Sequence, residues 1–438
     1  MEVKSRRPFS NLKSWNWQNV ILLALMAFSL TNFGFRVATE KFPYYGQDYL
    51  AFWSAGKIAD TVGYLTIYEL DSLRDVESEE LIKLGVLESK EDTNFLTIPT
   101  PYLAIFVVPF QFLSRIEIQT STTIWLIINF LTMIAYLLFF YRDLRFKEGV
   151  RFGGYFLLLF VLFSYPVFDN FLEGQINVFL MICVGEFIRN AAKNRAFASG
   201  IWLAGLLLKP QLLVIVIPLI LLMGYWKTLK GFLSGSAIVL MSSWMLCGSK
   251  GLRDLFLLLT GYTQGIATSS PQSMINWRMI GVNLNSWTHS SFGWMVTLVG
   301  MLATLAAVVY LVKDHPILGS NEWLMSMVGV FSATLAVTWH AHNHMAMVMI
   351  PLLLTVSRSG LFSMKGLWIW VLTPVIAWVG AGLIGVVLLQ FTAIEELNPM
   401  EIAIPIGAFI ANLLVIVEVV RWKRNKKNKD CSAFLVDS

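Results

Sequence analysis

The chain has 438 residues, of which 56% are hydrophobic and only 14% are charged. Soluble domains carry about 25% charged residues, so this composition excludes an ordinary soluble globular protein. It predicts an all-α, polytopic membrane protein. The formal net charge of +5 comes from basic residues that cluster beside apolar runs, so membrane lipids are expected partners and nucleic acid is not.

Apolar runs recur along the whole chain and predict about twelve transmembrane helices. Their predicted positions are residues 19–35, 120–141, 153–168, 175–189, 196–208, 210–224, 231–247, 291–312, 321–338, 343–356, 366–390 and 401–420. Residues 1–420 would form a single transmembrane domain and 421–438 a basic cytoplasmic tail. The distribution of lysine and arginine places both termini in the cytoplasm of a multi-pass cell-membrane protein.

The longest polar segment, residues 36–119, is expected to form a first extracytoplasmic loop that carries juxtamembrane helices. Within it, residues 98–113 are apolar, but this run is shorter than the ~20 residues of a crossing helix and contains three prolines. The basic loops at 142–151 and 189–195 and the tail all lie inside only if 98–113 does not cross. We therefore predict an interfacial or re-entrant helix there.

Asp48 stands at the start of an amphipathic helical pattern in this loop. Tyr49, Phe52, Trp53 and Gly56 follow it at the spacing of one helix face. Two interpretations are open. Asp48 is either a helix N-cap, which suits an acidic residue at a helix start, or a catalytic carboxylate beside the membrane surface.

On this topology, unusual polar residues from distant segments gather at the outer surface of the membrane. They are Asp48, Glu173, Gln175, Asn177, Lys209, Gln272, Asn276, Arg278, His340, His342 and His344. A lysine at the junction of two short apolar spans is costly unless a partner compensates its charge. A phosphate anion would be such a partner.

These residues also have plainer interpretations. Gln175 and Asn177 suit helix caps, Lys209 could extend to the interface, and Arg278 could contact lipid headgroups. The alternating histidines could bind a divalent metal, but a predicted helical span follows them directly, and hydrogen bonding or proton transfer is the alternative. We expect no cofactor and no metal site, with a divalent cation as the alternative.

The motifs occur in an order that resembles glycosyltransferase family 87. They are DYLAFWSAGK at 48–57, IYE at 67–69, PYLAIFVVPF at 101–110, EGQINVFL at 173–180, GLLLKPQLLVIVIPL at 205–219, PQSM at 271–274 and NHMAMVMIPLL from residue 343. This family belongs to the GT-C class and includes bacterial polyprenol-phosphomannose-dependent mannosyltransferases. Two features depart from the family pattern: Thr100 precedes Pro101 where paired prolines are usual, and the histidine region reads WHAHNH.

The resemblance implies a GT-C fold with its active site under the first external loop. It implies that Asp48 is the general base and that Lys209 and His344 lie near the donor phosphate. Arg278 and His342 complete the expected phosphate-binding set, although which histidine acts stays open. The expected substrate-pocket residues are Glu173, Gln175, Asn177, Gln272 and Tyr102.

The chemistry of the candidate residues agrees with this. A departing phosphate needs positive charge, and the acceptor hydroxyl needs a base within about 3 Å. We therefore expect an inverting transferase that moves a sugar, by the resemblance mannose, from a polyprenyl-phosphate donor to a lipid or glycan acceptor on the extracytoplasmic face. The alternative is a transporter or flippase of lipid-linked sugars, which should show paired repeats and polar groups near the bilayer midplane.

Overall fold

The computed structural model describes residues 17–39, 46–89, 97–143, 155–263, 270–389 and 399–436, and within these ranges the protein is helical without a β-strand. The α-helices are α1 (Trp17–Thr39), α2 (Gln47–Thr61), α3 (Leu70–Lys83), α4 (Val108–Leu113), α5 (Ile118–Asp143), α6 (Tyr155–Leu162), α7 (Tyr165–Leu172), α8 (Asn177–Ala192), α9 (Ala196–Ala204), α10 (Val216–Leu222), α11 (Trp226–Thr263), α12 (Trp277–Thr288), α13 (Phe292–Val312), α14 (Asn321–Val337), α15 (Met349–Arg358), α16 (Met364–Leu389) and α17 (Pro399–Val436). Short 3₁₀ helices are Tyr64–Thr66, Ala104–Val107, Gly205–Leu208, Pro210–Leu213, Pro271–Ser273 and Asn343–Val348.

Several of these helices are long and apolar enough to cross a hydrocarbon core about 30 Å thick. In the described part of the chain there are five, namely Ile118–Asp143, Trp226–Gly261, Phe292–Val312, Lys365–Leu383 and Ile402–Lys426. Shorter apolar helices are Asn19–Thr31, Ala104–Leu113, Ala196–Leu208 and Pro210–Leu222. The protein is therefore an all-α membrane protein, as the composition predicts.

Some predicted spans are not single α-helices. The predicted span 153–168 includes the break between α6 and α7, where Pro166 lies in the first turn of α7 and cannot continue the preceding helix. The predicted spans 196–208, 210–224 and 343–356 each contain a 3₁₀ segment beside an α-helix. The apolar runs alone do not show these changes of backbone geometry.

Two helices extend well beyond the predicted spans that they contain. The prediction ended one at residue 247, but α11 continues to Thr263 and is interrupted only at Gly248, whose backbone is non-helical with φ 62°. The helix that includes predicted span 401–420 continues into the basic tail. There Lys423 donates to the Leu311 carbonyl at 2.9 Å and lies 2.8 Å from Asp314. These contacts hold the first part of the tail against α13 as a helix.

The first loop folds as a layer of short helices around α2. α4 has six residues and rises about 9 Å, which is too little to cross a membrane. Gly56 of α2 lies against it, since a Cβ there would come within 2.3 Å of the Phe110 carbonyl oxygen. The Trp53 indole donates to the Ile116 carbonyl at 3.1 Å. The loop is therefore packed by close backbone approach as well as by apolar contact.

The helix α2 is more buried than its sequence pattern predicts. The predicted apolar face, from Tyr49 to Gly56, is buried. Residues outside that face, such as Leu50, Ala51 and Ala55, are buried as well. Of the helix, Gln47, Asp48, Lys57, Asp60 and Thr61 remain partly or wholly exposed. The two ends of α2 are thus its accessible parts, and Asp48 lies at one of them.

Candidate active site

The N-terminus of α2 is docked on the turn that connects α7 and α8. The Gly46 amide donates to the Leu172 carbonyl at 2.6 Å, and the Asp48 amide donates to the Glu173 carbonyl at 3.1 Å. The helix cap position is Gly46, which has φ 73°, and Asp48 is the second helical residue. Its side chain does not cap the helix but accepts a hydrogen bond from the Gln175 amide.

Gly174 allows this docking. Its φ of 69° lies in the left-handed region that favours glycine, and a Cβ at this position would lie 2.8 Å from the Tyr49 Cβ. The Trp125 indole donates to the Gly174 carbonyl at 2.8 Å, which ties the turn to α5. Glu173 and Gln175, on either side of the glycine, are thus fixed against the start of the loop helix.

Lys209, which follows α9 in the chain, contacts the same turn through its side chain. It separates two 3₁₀ helices, and its backbone, with φ −135° and ψ 81°, lies outside the α-helical region, which the following Pro210 disfavours. Its side chain is buried, and Nζ donates to Gln175 Oε1 at 2.8 Å. One amide therefore receives a hydrogen bond from the Lys209 ammonium and donates one to the Asp48 carboxylate.

The surroundings make Asp48 a stronger base than a solvated aspartate. Burial raises the pKa of Asp48, against the opposing effects of the Gln175 hydrogen bond and the Lys209 charge. The negative charge of Asp169 raises the pKa further. A carboxylate with a raised pKa accepts a proton more readily once it is ionised.

Asp169 belongs to this cluster, and sequence reasoning did not select it. It lies in α7, where its Oδ2 accepts a hydrogen bond from the His344 backbone amide at 3.0 Å and lies 3.4 Å from His344 Nδ1. A signal was present, because Asp169 is the only acidic residue between Glu148 and Glu173 in a strongly apolar stretch. The predicted span 153–168 ends one residue before Asp169, so the apolar run does not include it.

The three histidines form a row beside Lys209. The ring centroids of His340 and His342 are 4.8 Å apart, and those of His342 and His344 are 5.7 Å apart. His342 also hydrogen-bonds to the backbone of Ser273 and interacts electrostatically with both Lys209 and Arg278. Within the described residues, no group of three or more His, Cys, Asp or Glu side chains has an arrangement that would hold a metal ion.

Arg278 is fixed beside this row by the start of α12. The Asn276 side chain caps that helix by accepting from the Met279 amide at 3.0 Å, and it donates to the Thr338 carbonyl at 2.8 Å. The Arg278 guanidinium then lies over the Trp339 ring, 4.3 Å from its centroid, and is largely buried. This cation is held close to the histidines by aromatic stacking, without direct pairing to a carboxylate among the contacts described.

The other predicted pocket residues have different surroundings. Asn177 is buried. Its backbone N–H donates to Asn170 Oδ1 at 3.1 Å, and its side-chain Nδ2 donates to the same oxygen at 3.0 Å. The Tyr102 ring packs against Phe52, with centroids 5.4 Å apart. Gln272 is exposed on the turn Pro271–Ser273. The hydrogen-bonded chain that the structure assembles directly consists of Asp48, Gln175 and Lys209.

The sequence model of a family described as glycosyltransferase family 87 matches residues 99–338, more than half of the chain. The chain belongs to glycosyltransferase family 87. The protein is therefore a membrane glycosyltransferase, which confirms the resemblance found in the motifs. No curated protein matches the sequence.

The family match divides the candidate site in two. Asp169, Gln175, Lys209 and Arg278 lie within the matched residues, and Asp48 and the histidines from His340 onward lie outside them. The structure nevertheless brings Asp48 against Gln175 and His344 against Asp169. The candidate site of this family member thus combines residues from inside and outside the matched region.

Proposed function

We propose that this protein is an inverting glycosyltransferase of the GT-C class that uses a polyprenyl-phosphate sugar as its donor. The observation that supports this most directly is the hydrogen-bonded chain from Asp48 through Gln175 to Lys209. It places a carboxylate and a buried cation on two sides of one amide, at the junction of a loop helix and the membrane helices. A base and a phosphate-binding group are the two elements that this reaction needs.

Asp48 is the proposed general base. The oxygen of an acceptor hydroxyl forms a bond to the anomeric carbon of the donor sugar as the bond from that carbon to the phosphate oxygen breaks. The bonding electron pair leaves with the phosphate, and the hydroxyl proton passes to Asp48. A single displacement of this kind inverts the anomeric configuration.

Lys209 is the proposed phosphate-binding cation, assisted by Arg278, His342 and His344. The donor is a phosphodiester with one negative charge, and the product is a phosphate monoester that gains negative charge as the sugar leaves. A fixed ammonium therefore stabilises the transition state more than the bound donor, which is the condition for a rate increase. The phosphate leaves without protonation, so no second carboxylic acid is required.

Gln175 keeps the two charged groups from neutralising one another. If Asp48 and Lys209 met in a direct ion pair, each would use its hydrogen-bonding capacity on the other. A primary amide can donate to a carboxylate and accept from an ammonium at once, and each charged group still has sites for a substrate. The acceptor hydroxyl would approach Asp48, and the donor phosphate would approach Lys209.

We place this reaction on the extracytoplasmic face of the cell membrane, with both termini in the cytoplasm. The support is the asymmetric distribution of lysine and arginine between the predicted loops. The polyprenyl chain would lie between apolar helices, and the acceptor would be a lipid or glycan with a free hydroxyl. Mannose is the first donor sugar to test, on the family resemblance.

The test is transfer by the purified protein in nanodiscs, with polyprenyl-phosphate mannose radiolabelled in the sugar and extracted membrane lipids as acceptors. We expect a new labelled glycolipid whose glycosidic bond has the anomeric configuration opposite to that of the donor. A flippase would form no covalent product. Retained configuration, or transfer from a nucleotide sugar instead of the lipid-linked one, would contradict the proposal.

A further inference from the structure

Asp169 and His344 make a contact that the proposed reaction does not yet use. Oδ2 of Asp169 accepts from the His344 backbone amide at 3.0 Å and lies 3.4 Å from the Nδ1 atom of the imidazole. The His344 side chain is only 6% exposed, and Nδ1 is buried without a hydrogen bond of good geometry among the described residues. A small rotation of the ring would close a hydrogen bond from Nδ1 to Asp169.

We propose that Asp169 is a positioning residue for His344, which it holds with Nδ1 protonated and with Nε2 directed towards the donor phosphate. This rests on the proposed function, in which His344 assists the phosphate. When the donor binds, His344 takes up a proton from solvent, and its Nε2–H donates to a phosphate oxygen. It returns that proton after the products leave, so the exchange adds nothing to the net reaction.

The charges around His344 explain why it needs a carboxylate. Lys209 and His340 interact electrostatically with it, and the His342 ring lies next to it. A protonated imidazole beside an ammonium is unfavourable unless a negative charge compensates it. Asp169 is the carboxylate in contact with His344, so it supplies the compensating negative charge.

A plainer role for Asp169 has to be separated from this one. His344 is the second residue of the 3₁₀ helix Asn343–Val348, and the amides at the start of a helix lack partners within it. Asp169 caps that helix from another segment of the chain. Because asparagine caps a helix about as well as aspartate, Asp169→Asn keeps the cap and removes the charge. The isosteric change therefore distinguishes the two roles.

The first test is the protonation of His344, measured by ¹⁵N NMR of the histidine-labelled protein in nanodiscs. The chain has five histidines, and His344→Gln assigns the signal. We expect a neutral ring with Nδ1 protonated in the resting protein and an imidazolium after addition of polyprenyl phosphate. In Asp169→Asn we expect the proton to move to Nε2 and the imidazolium to be lost. A ring protonated at Nε2 in both proteins would overturn the proposal.

The second test is kinetic. In metalloproteins, loss of the carboxylate that orients a metal-binding histidine typically lowers activity about 10- to 100-fold. By analogy, Asp169→Asn should lower kcat about 10- to 100-fold, with a smaller change in the KM for the sugar donor. In the double variant with His344→Gln, the loss should match that of His344→Gln alone to within about twofold, because Asp169 acts through His344. Losses that multiply would show that Asp169 does not act through the imidazole.

Glu77→Gln is the matched control. Glu77 is also a buried carboxyl, but it lies in the loop helix α3 and accepts a hydrogen bond from the Ile98 amide at 3.1 Å, apart from the candidate site. The Glu77→Gln variant should transfer sugar at the wild-type rate. If the wild-type protein transfers no sugar from a polyprenyl-phosphate donor, the proposed function fails, and the resting-state NMR signal still decides whether Asp169 holds Nδ1–H.

Discussion

Among the described residues, the acidic and basic side chains near the ends of α5 and α8 use their charges differently from those around the N-terminus of α2. Where α5 and α8 end, Arg189 pairs with Glu186 and lies 3.3 Å from Asp143, which also pairs with Lys193. Around the N-terminus of α2, Asp48 and Lys209 are instead separated by the Gln175 amide. The first cluster satisfies its own charges, and the second leaves its charges available to a ligand.

On the proposed function, the first arrangement is structural and the second is catalytic. A direct ion pair between helices fixes their contact, and loss of one partner costs stability more than chemistry. Charges held close but apart in a buried site are characteristic of functional positions, because burial and neighbouring charges shift their proton affinity. The two clusters therefore differ in how their charges are paired, and this difference distinguishes the proposed active site from the ion-paired cluster.

The strongest test of this comparison replaces one aspartate in each cluster. Asp48→Asn should lower kcat by about 10²- to 10⁴-fold, the usual contribution of a general base. Asp143→Asn should transfer sugar at the wild-type rate, because the Asp143 carboxylate pairs with Arg189 and Lys193 and not with a substrate. The measurement is transfer by purified variants at equal protein concentration. A large loss of rate in Asp143→Asn with an intact fold would contradict the distinction.

Lys209→Met should have the next largest effect. The substitution removes the ammonium group and keeps a long apolar side chain. The kcat/KM for the polyprenyl-phosphate sugar should therefore fall about 10- to 100-fold, as expected for loss of a hydrogen bond to a charged group. Lys209→Arg should not restore the rate, because the planar guanidinium does not fit a site made for a compact ammonium. Full activity in Lys209→Met would show that another cation binds the phosphate.

Gln175→Leu tests the separation of charges itself. Without the amide, Asp48 and Lys209 lose one hydrogen bond each and can approach one another. We expect a loss of about tenfold in kcat, visible in steady-state transfer. Gln175→Glu should be worse than Gln175→Leu, since it adds a negative charge beside Asp48. If Gln175→Leu were as active as the wild type, the bridge would have no role in catalysis.

The smallest effect concerns stability outside the site. Burial raises the pKa of Glu77 from its usual 4.5 to about 8. Because the folded state binds this proton more tightly than the unfolded state, the resulting stabilisation is present at low pH and is lost as pH rises from about 4.5 to about 8. Thermal unfolding should show this dependence in the wild type and a weaker one in Glu77→Gln. Identical pH profiles would contradict it.

Much of the fold follows from the sequence because membrane helices are set by run length. The bounds of α5, α13 and α14 agree with the predicted spans to within two residues at each end. The prediction was less accurate where proline or glycine interrupts an apolar run, as at Pro166 and Gly248, since hydropathy does not report backbone breaks.

The candidate site was predicted in part. The sequence indicated that Asp48 and Lys209 both lie at the outer surface of the membrane, since both are unusual polar residues at the ends of apolar runs. It did not indicate that Gln175 joins them, because a hydrogen-bonded bridge depends on the turn at Gly174. Asp169 was not selected because its role depends on a contact with His344, 175 residues further along the chain.

The proposed function requires Asp48 to accept the proton of the acceptor hydroxyl and not merely to bind the donor. The most direct measurement is donor binding and single-turnover transfer in Asp48→Asn, each compared with the wild type in nanodiscs. We predict that the variant binds polyprenyl-phosphate mannose with an unchanged Kd and transfers the sugar at least about 10²-fold more slowly. Wild-type transfer by Asp48→Asn, or a loss of donor binding as large as the loss of transfer, would contradict the claim.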